Sequence, residues 1–155
     1  MPARRHLSYA QGYLELGLVA EAAAELDRLS SADRNSTEAV ALRMAVLQEQ
    51  QKWPELAALA ADFVGRTPEE PAAWVTWAYA VRRTDTLAAA EAILRKAERM
   101  HPGEPTIQFN LGCYACVRGD LVEARRRVDR AIELDAKFRN TAATDPDLAA
   151  LRAAT

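Results

Sequence analysis

Two thiols three residues apart, Cys113 and Cys116 in the run Cys-Tyr-Ala-Cys, have the spacing in this chain that most invites chemistry. Such a pair can supply half of a zinc site or carry out thiol–disulfide exchange. Zinc requires two more ligands, yet there is no second CxxC, and His6 and His101 each stand without a ligand-spaced neighbour. A redox pair works best at a helix N-terminus, where the thiol pKa falls, whereas these thiols follow two turns of predicted helix. The residues therefore read first as small helix-packing or groove-lining groups. A thiol-based redox or metal-responsive role for Cys113 and Cys116 stands as the alternative.

The densest basic run, Arg125-Arg126-Arg127 with Arg130, could hold a phosphate. Glu123, Asp129 and Glu133 interleave with it, and helical spacing pairs Glu123 with Arg127 and Arg125 with Asp129. A solvated outer face joined by weak ion pairs is the favoured reading. Twenty basic against 22 acidic residues leave a charge of −2, which provides no general attraction to nucleic acid or to acidic lipid. The carboxylates Asp27, Glu69, Glu70 and Asp147 fall at repeat edges or turns, where caps and surface charge explain them. With no Gly-rich phosphate loop, nucleophile elbow or His-Glu metalloprotease pair, the expectation is a non-enzyme with no cofactor and no metal.

The elements that carry these residues repeat. A spacing of 34 aligns almost the whole chain without gaps: Gly17, Gln51, Asp85 and Gly119 share a column where a helix should end. Ala22, Leu56, Ala90 and Ala124 form another, followed by Leu26, Ala60, Leu94 and Val128, then Leu29, Phe63, Ala97 and Ala131. These columns share one helix face. Each period closes at Arg34, Pro68, Pro102 or Ala136. An earlier helix in each period carries small or slender residues, Ala10, Met44, Ala78 and Gly112, where two helices must approach closely. Tyr9, Arg43, Trp77 and Leu111 precede that column, and Tyr13, Leu47, Val81 and Ala115 follow it. Each period is thus two amphipathic helices that can bury their apolar stripe only against the next pair. Only 6% aromatic content and repeated Ala blocks suit close helix packing.

Start and stop signals agree. Asp120 with Glu123, and Asn35 with Glu38, have capping-box spacing. Pro54 and Pro71 suit a first helical turn, and Gly17 and Gly119 suit a left-handed helix end.

On these columns the chain resembles the tetratricopeptide repeat family over roughly residues 3 to 138. The fourth unit matches best, through Asn110-Leu111-Gly112, Gly119-Asp120, Ala124 and Ala131 followed by Ile132-Glu133-Leu134-Asp135. The third matches through Trp74, Ala78, Ala90, Ala97 and Pro102. The first two units are degenerate: Arg43 replaces a preferred Leu, and Leu56 and Ala60 alter the sizes of two packing columns. The resemblance implies an all-α, right-handed α-solenoid of four hairpins (3–36, 37–70, 71–104 and 105–138). Residues 139–155 then form a C-terminal capping helix that starts near Thr144-Asp145-Pro146-Asp147-Leu148 and carries Leu148 and Leu151. It would cover the apolar flank of the last hairpin, with a fraying Ala-Ala-Thr end.

In this family the first helix of each hairpin lines a concave groove. Carried over, the peptide-binding groove comprises Val75, Tyr79, Arg82 and Arg83 from the third unit and Phe109, Cys113, Cys116 and Val117 from the fourth. Leu7, Gln11 and Leu14 would continue it in the first unit, and Ala41, Ala45, Gln48 and Glu49 in the second. The positions of the family's two-carboxylate clamp hold Leu7, Gln11, Leu42, Ala72 and Thr76, so that mode of recognition is not expected. The expected function is a protein-interaction scaffold whose partner is another protein or peptide with apolar and acidic groups. Neither nucleic acid nor membrane is expected, and a homo-oligomer through a solenoid end is the other binding mode. The alternative for Tyr79 and Phe109 is a place in the hairpin interior, with the arginines solvated. An N-terminus without a signal-peptide core, no membrane-length apolar run and too few cysteines for a disulfide framework lead to the expectation of a soluble, cytoplasmic protein.

Overall fold

The computed structural model describes residues 1–154. Eight longer helices are arranged as four antiparallel pairs: α1 (Ala3–Glu15) with α2 (Val19–Asp27), α4 (Thr37–Glu49) with α5 (Trp53–Arg66), α6 (Pro71–Thr84) with α7 (Leu87–Met100), and α8 (Pro105–Val117) with α9 (Leu121–Leu134). A single turn, α3 (Ser31–Arg34), links the first two pairs. After α9 come α10 (Phe138–Thr144), a 3-10 turn at Pro146–Leu148 and α11 (Ala149–Ala153). There is no strand among the described residues, and no helix is long and apolar enough to cross a membrane. Of the expected fraying tail, Ala153 ends α11, while Thr155 lies outside the described residues.

Helix ends follow from side-chain chemistry. The Asp120 carboxylate accepts from the Glu123 N–H at 3.0 Å and caps α9. At α4 the cap is Ser36, not Asn35: the Ser36 hydroxyl accepts from the Ala39 N–H at 3.2 Å, while Asn35 is taken up at the end of the extra turn α3. Between the helices of a pair, Gly17 (φ 75°) and Gly119 (φ 93°) adopt the left-handed conformation. Gln51 takes it too, at φ 56°, whereas Asp85 in the same column keeps a negative φ of −140°. Thr86 then caps α7 by accepting from the Ala89 N–H at 3.0 Å. Arg34, which stands in the column holding proline at 68 and 102, donates from Nε to the Leu29 carbonyl at 3.0 Å. It satisfies a carbonyl at a helix end rather than breaking the chain.

The apolar columns are buried as the 34-residue spacing requires. Ala22, Leu56, Ala60, Ala90, Leu94, Ala97, Ala124 and Ala131 have no solvent exposure. They fall into two clusters. A smaller one joins Leu7, Ala10, Ala22, Leu26 and Leu29 to Ala39, Leu42 and Val46 of α4. A larger one begins on the other face of α4, at Val40, Met44 and Leu47, and runs through α5–α9 to Phe138, Leu148 and Leu151. Helix α4 serves both, so its apolar residues go all the way round. Arg43, in place of a packing leucine, instead bridges the first two pairs by an ion pair to Asp27 at 2.7 Å.

Candidate functional site

Helices α1, α4, α6 and α8, the first of each pair, carry the residues expected in the concave groove, and these divide into an open set and a covered set. On α4, Ala41 and Ala45 are exposed and Gln48 is half-buried; with Met44, Ala72 and Thr76 they line an open hollow of about 300 Å³. Gln11 and Glu49 are exposed and Leu14 half-buried, whereas Leu7 is taken into the smaller core cluster.

On α6, Val75 and Tyr79 are half-buried, and the two arginines differ. Arg83 is exposed, stacks 3.4 Å over the Tyr79 ring and 4.9 Å over Trp53, and makes no ion pair among the described residues. Trp53 in turn meets Tyr79 edge-on at 5.6 Å. Arg82 is committed: it donates in bidentate fashion to Asp147 at 2.6 and 2.9 Å and lies 5.3 Å over Tyr114. The Asp147 hydrogen bonds raise the Arg82 pKa further. Tyr114 is pushed up to about 12, by burial first.

On α8, Val117 is exposed, but Phe109, Cys113 and Cys116 are only 3–4% exposed. What covers them is the chain's own C-terminal segment. Phe138 stacks on Phe109 at 4.9 Å between ring centroids, Leu148 and Leu151 join the same core cluster, and the Cys113 sulfur, an Asp145 oxygen and an Asp147 oxygen all lie within 4.8 Å of one another. Residues 139–154 thus do more than close the flank of the last hairpin, since they lie against the side of α8 that carries Cys113 and reach Arg82 of α6. Tyr79, Arg82, Arg83, Asn110, Cys113, Tyr114 and the Asp145–Asp147 turn enclose a cleft of about 550 Å³. Phe109 is buried in the larger core cluster, with Phe138 against its ring. Burial, with the Asp145 and Asp147 charges adding to it, pushes the Cys113 thiol far up, opposite to what a reactive or metal-binding thiolate needs.

The arginine run is corrected by the structure. Arg127 is 4% exposed rather than solvated; it donates from Nη1 to Gln108 at 3.0 Å and from Nε to Glu123 at 2.9 Å, and pairs with Glu98. Gln108 also donates to Glu98 at 2.8 Å. Arg125 and Asp129 make no ion pair among the described residues; Arg130 instead pairs with Glu133 at 3.3 Å. A second buried pair, likewise absent from the expectations, joins His6 Nδ1 to Glu25 at 2.7 Å, and Glu25 also accepts from Arg28 at 2.8 Å. His101 is structural as well: its Nε2 and the Trp74 indole both donate to the Pro68 carbonyl, at 2.9 and 2.8 Å.

Two sequence signals bear on these unanticipated features. Residues 105–117 contain no charged side chain, which marks a helix covered on both faces. Counting by 34 also puts His6 in one column with Gln108, and Glu25 in one column with Arg127, so each polar pair has a counterpart in the other terminal hairpin.

No family model and no curated protein matches the chain. Solved structures do. A thermophilic tetratricopeptide repeat protein of Thermus thermophilus superposes with a TM-score of 0.75 at 17% identity, covering 89% of this chain and 78% of that one. MamA of Desulfovibrio magneticus RS-1, from residue 41 to its end, gives 0.73 at 15% identity, covering 98% and 88%. MamA of strain MSR-1 gives 0.64 at 17%, covering 97% and 87%. The fold is therefore that of the tetratricopeptide repeat proteins, a right-handed α-solenoid.

Proposed function

We propose that this chain is a non-catalytic protein-interaction module that holds a segment of another protein in its concave groove, with the four units 3–36, 37–70, 71–104 and 105–138 as its repeats. The observation that carries the reading is the row on α6: an exposed Arg83 without a carboxylate partner among the described residues, held over Tyr79 and Trp53 and lining the cleft it shares with Arg82. A preset cation on an aromatic platform, with the open hollow between α4 and α6 further along the same helix, suits a peptide that brings acidic and apolar groups. The absence of catalysis is part of the proposal. It is supported by the engagement of the polar groups elsewhere: every buried side-chain nitrogen and oxygen among the described residues has a hydrogen-bond partner, and the Cys113 thiol is held protonated.

The test is affinity capture from native lysate with wild type, a groove variant (Tyr79→Ala with Arg83→Glu) and an outer-face variant (Arg126→Glu), after circular dichroism shows all three equally helical. Partners retained by wild type and Arg126→Glu but lost by the groove variant are expected. Identical sets from all three proteins would refute binding in the groove.

A further inference from the structure

The segment on α8 has the chemistry the groove itself selects. Asp147 supplies a carboxylate to Arg82, Leu148 follows it directly, and Leu151 adds a second apolar side chain one turn on; both leucines are buried with Cys113 and Cys116. The segment's own architecture is weak. Its helices are seven and five residues long, joined by a three-residue turn that begins at Pro146. Pieces so short do not persist by themselves in water, so their order depends on being docked. Local tethers keep the turn in shape for docking: Asp145 accepts from the Asp147 N–H at 2.9 Å, and Arg152 donates to the Asp145 carbonyl at 2.8 Å. The polar anchor joining the Asp145–Asp147 turn to α6 is the Arg82–Asp147 pair, which is about 30% exposed on each side and so within reach of a competing carboxylate.

We propose that residues 145–151 are a resident, displaceable occupant of the groove, and that the partner this site takes is a peptide repeating their pattern: a carboxylate, a leucine immediately after it, and a second leucine three residues further on. The inference rests on the reading of the groove as a protein-binding site and names its ligand class. A partner displaces the strap by offering Arg82 a second carboxylate and the Phe109–Cys113–Cys116 surface a second pair of leucines. Arg83, with no carboxylate of its own, gives such a partner one contact that the strap does not make.

The two cysteines, the only ones in the chain, report on the strap because both are buried in one cluster with its Leu148 and Leu151 and the Cys113 sulfur lies beside Asp145 and Asp147. In the full-length protein, Asp147→Asn is expected to raise the rate of thiol labelling by Ellman's reagent at least tenfold with the far-ultraviolet dichroism unchanged. The charge swap Arg82→Glu with Asp147→Arg is expected to return it to near the wild-type rate. A fluorescent peptide of residues 143–153 is expected to bind Asp147→Asn at least tenfold more tightly than wild type, and the same peptide carrying Asn in place of its Asp147 to lose that binding.

Three results would overturn the proposal: labelling unchanged in Asp147→Asn, labelling that rises only with loss of helical signal and is not rescued by the swap, or peptide affinity equal for the two proteins. The thiol readout needs no partner. A failed lysate capture with a mobile strap therefore refutes the functional reading alone, and a successful capture with an immobile strap refutes only this one.

Discussion

Glu123 sits where guanidinium groups converge. Arg127 and Arg95 reach it at 2.9 and 3.1 Å, and Arg118 also pairs with it, which ties α9 to the end of α8 and to α7. Burial pushes its pKa upward, but the hydrogen bonds from Arg127 and Arg95 prevail and hold it at about 2. Because the folded value lies below the unfolded one, the interaction contributes its full stability above about pH 4.5 and loses it as the pH falls towards 2. The carboxylate remains partly open to water, so screening reduces the effect to about 1 kcal/mol. In urea titrations, Glu123→Gln should be about 1 kcal/mol less stable than wild type at pH 6, and the gap should close by pH 2. A gap that stays constant over that range would mean the loss comes from packing rather than charge. The Glu123–Arg127 pair was readable from the i, i+4 spacing alone. The burial of Arg127 was not, because its further partners Glu98 and Gln108 lie on neighbouring helices.

At the scale of helices, the same architectural position is filled in two ways. The columns holding His6 with Glu25 and Gln108 with Arg127 at the terminal hairpins hold Val40 with Leu59 and Trp74 with Ile93 in the middle two; Val40 and Trp74 are buried in the larger apolar core, and Leu59 and Ile93 pack against it half-buried. A repeat tolerates either filling provided each buried polar group finds a partner. Close approach is less tolerant. A Cβ at Gly112 would lie 2.9 Å from a Val128 methyl and 3.3 Å from the Val128 nitrogen, so α8 and α9 meet there backbone to backbone. Gly112→Ala gains about 1 kcal/mol of helix propensity, yet overpacking costs about 1–3 kcal/mol. The expected balance is a loss of about 1 kcal/mol in denaturant unfolding; a gain in stability would show that Val128 can rotate away freely. The small-residue column identified this contact, since a helix pair's closest point recurs at the same register in every hairpin. The column did not foretell that one unit would need glycine where two others accept alanine.

Across the whole molecule, the two core clusters share α4, as expected of a solenoid whose units pack on their neighbours. Leu26, almost fully buried in the smaller cluster, gives a test of that division. Leu26→Ala should remove about 2–5 kcal/mol of packing and raise amide exchange in α1 and α2 at least tenfold, while α8 and α9 keep their wild-type protection. Equal acceleration everywhere would instead indicate one cooperative unit. The helical hairpins, their number and the face each buries were legible from the residues alone, because those features follow from a short-range period that recurs every 34 residues and can be read without knowing any distant contact. The repeat also placed Val75, Tyr79, Arg82, Arg83, Phe109, Cys113, Cys116 and Val117 on the first helices of their hairpins. Which of these stay open and which are buried with the C-terminal segment depends on long-range packing. The reason is physical: Arg82 and Asp147 are 65 residues apart and Asp147 lies past α9, so their pairing leaves no 34-residue trace and exists only once α6, α8 and the C-terminal segment are packed together.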